Sequence, residues 1–343
     1  MRRCCLNLAL GLFLAAALPA QADDPARAEL LAGLALEYRP VGDPDYQAAA
    51  GHYQAAAAAG SREALLALAR LSGPGAPLWQ GPELWRDRLL AAARAGWPEA
   101  AFQLAEGLAD QTLTGLDPAA FYFQAATAGH GPAARRLGEL YLAGQPKDES
   151  QAAFWLALAA ENHEPEAALA LGKLLYPSRP EAARRWLEQA RSAEGSYLLG
   201  QIYLKERRYI EALSALTLAA DQHYPPAHLA LGLLSLNNDF GRRPNPREAL
   251  QHFKIAAKAD LPEGAYQLAR MYLTGLATPK DPITGAFWLH QAASRGYEAA
   301  GPEYDQVIYN FTVGQKKRLE RMIEEGLAPT TKAPGPARAG GDL

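Results

Sequence analysis

A doublet of alanines recurs along this chain at nearly constant spacing, and no other feature restricts its fold as strongly. The second alanine falls at Ala57, Ala93, Ala126, Ala160, Ala190, Ala220, Ala257 and Ala293, in steps of about 30 to 37 residues. Four residues earlier stands an apolar residue each time: Tyr53, Leu89, Tyr122, Leu156, Trp186, Leu216, Phe253 and Leu289. An offset of four places both on one face of an α-helix. The small residue lets a neighbouring helix approach, and the larger one fills the space beside it. A fixed period of this length is the mark of a stacked array, in which each unit packs on its neighbours.

A second row precedes each doublet. It reads Leu68-Ala69, Leu104-Ala105, Leu137-Gly138, Leu171-Gly172, Leu199-Gly200, Leu231-Gly232 and Leu268-Ala269. Four residues before each leucine is Ala64, Ala100, Ala133, Ala167, Gly195, Ala227 or Gly264. This gives a first helix, A, with a narrow packing face, followed by helix B with the doublet. Gly60, Gly96, Gly129 and Gly296 stand in the turns that close B helices, where glycine can end a helix in the left-handed conformation. Alanine dominates the apolar set and Val and Ile are few, which favours close-packed helices over sheets.

These residues resemble a known family. Ala133 to Tyr141, read as Ala-x-x-x-Leu-Gly-x-x-Tyr, is similar to helix A of the Sel-one-like repeat, a relative of the tetratricopeptide repeat. Lys147 to Trp155 followed by Ala159-Ala160, and Lys280-Asp281 leading to Ala286-Phe287-Trp288 and Ala292-Ala293, resemble its loop and helix B. The resemblance spans about residues 30 to 300. It departs at two short steps, at the tetratricopeptide-like turn Arg207 to Leu213, and around Pro74, Pro77 and Pro82. The expected fold is all-α: a right-handed α/α superhelical solenoid of about eight helix-pair repeats with a C-terminal capping helix. Residues 1–22 read as a signal peptide, 23–302 as the solenoid, 303–326 as the capping helix and 327–343 as a disordered tail rich in Pro, Gly and Ala. Glu29 to Tyr38 and Tyr46 to Ala59 are expected to form the first helix pair.

The signal-peptide reading rests on Arg2-Arg3, the apolar run Leu6 to Leu18 and the small-x-small triplet Ala20-Gln21-Ala22, with cleavage expected after Ala22. Both cysteines, Cys4 and Cys5, lie inside that segment. The mature chain would then lack a thiol nucleophile or thiolate metal site, and packing alone would hold it. It would carry 32 basic against 37 acidic residues, a balance unsuited to non-specific nucleic-acid binding. The expected location is periplasmic or secreted.

Chemistry-bearing motifs are sparse. The seven histidines include no His-x-x-x-His pair, and His130, His163 and His223 fall in the turn after helix B in three different units. No phosphate-binding glycine loop or nucleophile elbow is present, so no catalytic residue, cofactor or metal is assigned. Trp155, Trp186 and Trp288 are expected in the core, whereas Trp79, Trp85 and Trp97 could stack on a sugar or peptide.

One row remains for binding. The residue after each Leu-small pair, and the residue three before it, share a face of helix A. In related solenoids that helix lines the concave surface. The resulting candidate groove comprises Gln103, Glu106, Arg136, Glu139, Lys173, Gln201, Gln267 and Arg270. The expected function is an exported scaffold that recruits envelope proteins or peptides, as in exopolysaccharide export or motor assembly. The alternatives are a peptidoglycan or carbohydrate binder and, third, an enzyme.

Overall fold

The computed structural model describes residues 24–39, 42–144, 147–237 and 243–326. Among these residues there are 18 helices and no strand, so the expected all-α solenoid of helix pairs is the observed fold. The segments expected as signal peptide and tail lie outside the described residues. The chain divides into two compact halves, at residues 174 and 175.

The first half runs through α1 (Pro25–Glu37), α2 (Tyr46–Ala58), α3 (Arg62–Leu71), α4 (Pro82–Arg94), α5 (Pro98–Ala109), α6 (Pro118–Thr127), α7 (Gly131–Ala143), α8 (Glu149–Glu161) and α9 (Pro165–Leu175). The second holds α10 (Pro180–Ala190), α11 (Ala193–Lys205), α12 (Tyr209–Asp221), α13 (Pro225–Leu236), α14 (Pro246–Lys258), α15 (Pro262–Thr274), α16 (Pro282–Ser294), α17 (Ala300–Tyr309) and α18 (Val313–Glu325). From α1 to α8, and again from α10 to α17, each helix packs on the next one in sequence.

Helix starts are encoded locally. Asp45, Ser61, His130, Asp148, Ser192, Asn245 and Asp281 each accept a hydrogen bond from a backbone N–H of the adjoining first turn, filling one of the donors a helix leaves open. Proline in the first turn of many of these helices supplies a pre-set φ where no N–H is needed. The turn from B to A carries one left-handed residue in every repeat: Gly60, Gly96, Gly129, His163, Arg191, His223, Asp260 and Gly296. The histidines expected in turns are there: His163 and His223 take the left-handed position, and His130 is a helix cap.

Both rows of the sequence pattern lie inside. Each leucine of the A row, each small residue four before it and seven of the eight apolar partners of the doublet are buried. The seam is tight. A Cβ on Gly138 would lie 2.7 Å from Cγ of Leu156, one on Gly200 2.6 Å from Cγ of Leu216, and one on Gly232 2.5 Å from a ring carbon of Phe253. Glycine is required there because the facing helix occupies the volume of a methyl group.

Two local expectations are corrected. The doublet assigned to Ala190 is out by one residue: Leu187 fills the core position at 1 % exposure, and Trp186 is only half-buried, with the Arg185 guanidinium 4.7 Å from its ring. The cause is the early turn at Arg191, which ends α10 directly after Ala190. The span 303–326, expected as one capping helix, holds most of α17 and all of α18. Thr312 breaks it by forming a capping box with Gln315, in which each side chain bonds the other residue's backbone N–H.

Candidate functional site

Helices α5 and α7 turn Leu104-Ala105 and Leu137-Gly138 inward, which brings the flanking polar residues to one edge of the array. Glu106 is their hub. Its Oε1 accepts hydrogen bonds from Tyr122 Oη at 2.5 Å and from Arg136 Nε at 3.0 Å, and its Oε2 accepts from Arg136 Nη2 at 3.1 Å. Arg136 also donates to Glu139 at 3.2 Å, and Arg135 donates to the other oxygen of Glu139 at 2.5 Å. A fork-to-carboxylate pair of this kind fixes direction as well as charge.

Beside this network is an open cleft of about 420 Å³, lined by Glu106, Asp110, Tyr122, Arg136, Glu139 and Leu140 among others. Partial burial works against ionisation of Glu106, but the hydrogen bonds from Tyr122 and Arg136 outweigh it and hold the carboxyl below its ordinary range. Burial, and then the bond to Glu106, push the Tyr122 hydroxyl upward. The Glu106 contact raises Arg136. The cleft is therefore charged at neutral pH and built for polar recognition. Its walls offer acidic and basic groups side by side, with Leu140 and the Tyr122 ring as apolar floor.

Of the eight residues proposed from sequence, the structure brings Glu106, Arg136 and Glu139 into direct contact. Gln103 is held aside: its amide donates to Glu99 at 2.8 Å, and Glu99 also pairs with His130 at 3.0 Å. That bond to His130 leads the effects that lower the Glu99 carboxyl. Lys173 is exposed in the last turn of α9. In the second half, Gln201 on α11 and Gln267 on α15 are half-buried, and Arg270 is exposed with its guanidinium 5.9 Å from the Tyr266 ring. Sequence reasoning missed Tyr122 and Arg135. A signal for the first was present: only Tyr53 and Tyr122 bring a hydroxyl to the position four before the doublet.

Tyr53 does make the same constellation. It donates to Glu37 at 2.7 Å, and Arg70 donates to the same carboxylate oxygen at 2.7 Å. Two further clusters lie in the second half. His228 and His252 place their Nδ1 atoms 3.0 Å apart, and burial, with their mutual repulsion for His228, lowers both. Arg184 and Arg208 converge on Glu206 at 2.5 and 3.3 Å. Trp97 is occupied, donating to the Arg62 carbonyl at 2.7 Å, while Trp79 keeps 41 % of its surface exposed against the edge of Trp85. Among the described residues no group of three or more His, Cys, Asp or Glu could hold a metal ion, and no helix is long and apolar enough to cross a membrane.

The Sel1 repeat pattern matches residues 26–61, 131–163, 165–194, 225–261 and 262–297. The chain belongs to the Sel1 repeat family. The stretches between the matches, 62–130 and 195–224, hold the proline-rich connection before α4 and the tetratricopeptide-like turn before α12. Sel1 repeat proteins are generally protein–protein interaction scaffolds. The chitin synthase regulatory factor 3 of Schizosaccharomyces pombe is 28 % identical over an alignment 270 residues long that covers 71 % of this chain and 27 % of that protein. The chain thus spans about a quarter of that relative. Among solved structures, a protective antigen present in uropathogenic Escherichia coli strains and displaying an SLR fold is similar, at a TM-score of 0.69 and 20 % identity over 92 % of this chain and 74 % of that one. A Sel1 repeat protein from Oxalobacter formigenes is similar at 0.59 and 22 %, covering 87 % and 93 %. These Sel1 structures share the fold.

Proposed function

We propose that this Sel1 repeat protein is an exported scaffold of the bacterial cell envelope, and that the Glu106–Arg136–Glu139 cleft holds an extended segment of a protein partner. The observation that carries the reading is the cleft itself. A bidentate Arg–Glu pair is set out on two successive A helices next to about 420 Å³ of open volume. Preorganised charge of alternating sign recognises a peptide backbone flanked by polar side chains without first having to be ordered. Export is supported by Arg2-Arg3, the run Leu6 to Leu18 and the Ala20-Gln21-Ala22 triplet. Assembly of a polysaccharide-export complex or a motor is the setting this reading favours.

Two experiments test it. Residues 1–30 fused to a reporter that folds only after export should give active reporter in the periplasmic fraction; retention in the cytoplasm removes the envelope from the proposal. A photo-crosslinker at Leu140 should trap a partner in cells, and Arg136→Glu should reduce that adduct at least tenfold. Because Arg136 is 42 % exposed, losing its pairs costs about 1 kcal/mol or less of stability, and Arg136→Ala, which adds no carboxylate beside Glu106 and Glu139, should lose the adduct in the same way, so an unfolded scaffold would not be the reason. An adduct of unchanged yield and identity sinks the cleft.

A second reading has one observation in its favour, the exposed Trp79 ring supported by Trp85, which could stack on a sugar. A relative named for regulation of chitin synthase fits a role near wall polysaccharide. Retention of the purified protein on wall sacculi, lost on Trp79→Ala, would favour this reading over the first.

A further inference from the structure

The sequence Ala-Phe-Trp-Leu occurs twice, at Ala153 to Leu156 on α8 and at Ala286 to Leu289 on α16. The local geometry is nearly the same. Phe154 meets Trp155 edge-on at 5.0 Å and 82°, and Phe287 meets Trp288 at 5.2 Å and 80°. Their surroundings differ. Phe287 is 2 % exposed, because the C-terminal helices α17 and α18 pack against α16, and Phe287 and Trp288 share one core cluster with Leu319 and Met322 of α18. Phe154 is 59 % exposed. On the neighbouring α6, Phe123 is 51 % exposed and lies edge-on to Trp155 at 5.5 Å. Two open phenyl rings therefore flank one buried indole. The Nε1 of that indole is itself buried and has no hydrogen-bond partner. Exposed aromatic clusters of this kind mark surfaces that a partner covers.

We propose that the Phe123–Trp155–Phe154 patch on the B helices is a docking surface for an amphipathic helix of a partner protein. That helix would present aliphatic side chains at i, i+3 and i+4 and lysine or arginine along its edges. The chain itself shows the occupant's chemistry. Where the same motif is covered, α18 packs on it and brings Leu319, Met322 and Ile323 to the core cluster at those offsets, with Lys316, Lys317 and Arg318 exposed to solvent. Seven residues after Phe154, and so on the same face of α8, the exposed Glu161 offers a carboxylate to a basic helix edge, whereas Glu149 at the other end is paired with Lys147 at 2.8 Å.

The test uses the full chain and, as probe, a fluorescent peptide of residues 313–325 held helical by a lactam bridge on its polar face. Anisotropy should show saturable binding. The double variant Phe123→Gln, Phe154→Gln should weaken it at least tenfold while the chain keeps a cooperative thermal transition, since more than half of each ring is already exposed. Reversing Lys316, Lys317 and Arg318 to Glu in the peptide should weaken it as well. A benzophenone in place of Met322 in the peptide should label α6 or α8, which does not depend on any variant folding. Absence of binding, equal affinity for the double variant, or labelling elsewhere overturns the proposal. So does a dimer of the wild-type chain in sedimentation that the double variant abolishes, because the occupant would then be a second copy.

Discussion

The first and third repeats carry the same three residue types in the same arrangement and use them differently. In both, a tyrosine of helix B donates to a glutamate of its A helix, and an arginine from the next A helix completes the set. Glu37 keeps 3 % of its side chain exposed, whereas Glu106 keeps 35 % and borders the cleft. A buried carboxylate whose acceptors are all engaged inside is a structural tie. An open one with the same bonds is a tie that a partner can compete for. Burial, rather than residue identity, separates the two roles.

Breaking each tie should expose the difference. Glu37→Ala leaves the Tyr53 hydroxyl buried without an acceptor and should cost about 3 kcal/mol in chemical denaturation. Next in size is Gly33→Ala: its Cβ would lie 2.6 Å from a ring carbon of the fully buried Tyr53, and overpacking of this kind costs about 2 kcal/mol. Glu106→Ala should cost only about 1 kcal/mol, because removing the side chain admits the water of the cleft to the Tyr122 hydroxyl and the half-exposed Arg136, while abolishing partner capture. Equal losses of stability for Glu37→Ala and Glu106→Ala would break the comparison.

Two smaller effects sharpen it by pH. The Glu106 carboxyl is held below its unfolded value, so its contribution is present above about pH 4.3 and is lost as pH falls through the folded value. Melting curves of wild type and Glu106→Gln should therefore converge only in acid. The histidine pair works nearer neutrality. His228 and His252 are both lowered in the folded chain, so the unfolded chain binds protons first as pH drops below about 6.5 and stability falls until the folded pair protonates. Around the pair stand His223 and Asp221 before α13 and Glu248 on α14. The slope of melting temperature between about pH 7 and pH 5 should flatten in His252→Phe.

The sequence revealed the array because its packing rule is periodic: Ala64, Ala100, Ala133 and their successors all fell inside. It misplaced the fifth repeat because Gln189-Ala190 imitates the doublet by one position, and only the left-handed Arg191 shows where the helix stops. The break at Thr312 was written in a cap with Gln315 three residues later, a local signal that the charged run around it concealed. For the cleft, the row on helix A gave Glu106, Arg136 and Glu139, since all are set by one helical offset. Tyr122 and Arg135 escaped because they reach the site from another helix or around the same one. Exposure of Phe154 was illegible for a different reason: Phe287 has the same neighbours in sequence and is covered by the later helices α17 and α18, which its local sequence does not announce.

The close seam between Gly138 and Leu156, Gly200 and Leu216, Gly232 and Phe253 has a consequence for how such a chain can vary. Neither member of a couple is free to drift alone: enlarging the glycine collides, and shrinking its opposite number opens a hole. Change at these sites should travel in compensating pairs, so that an exchange damaging as either half is tolerated when both halves arrive together.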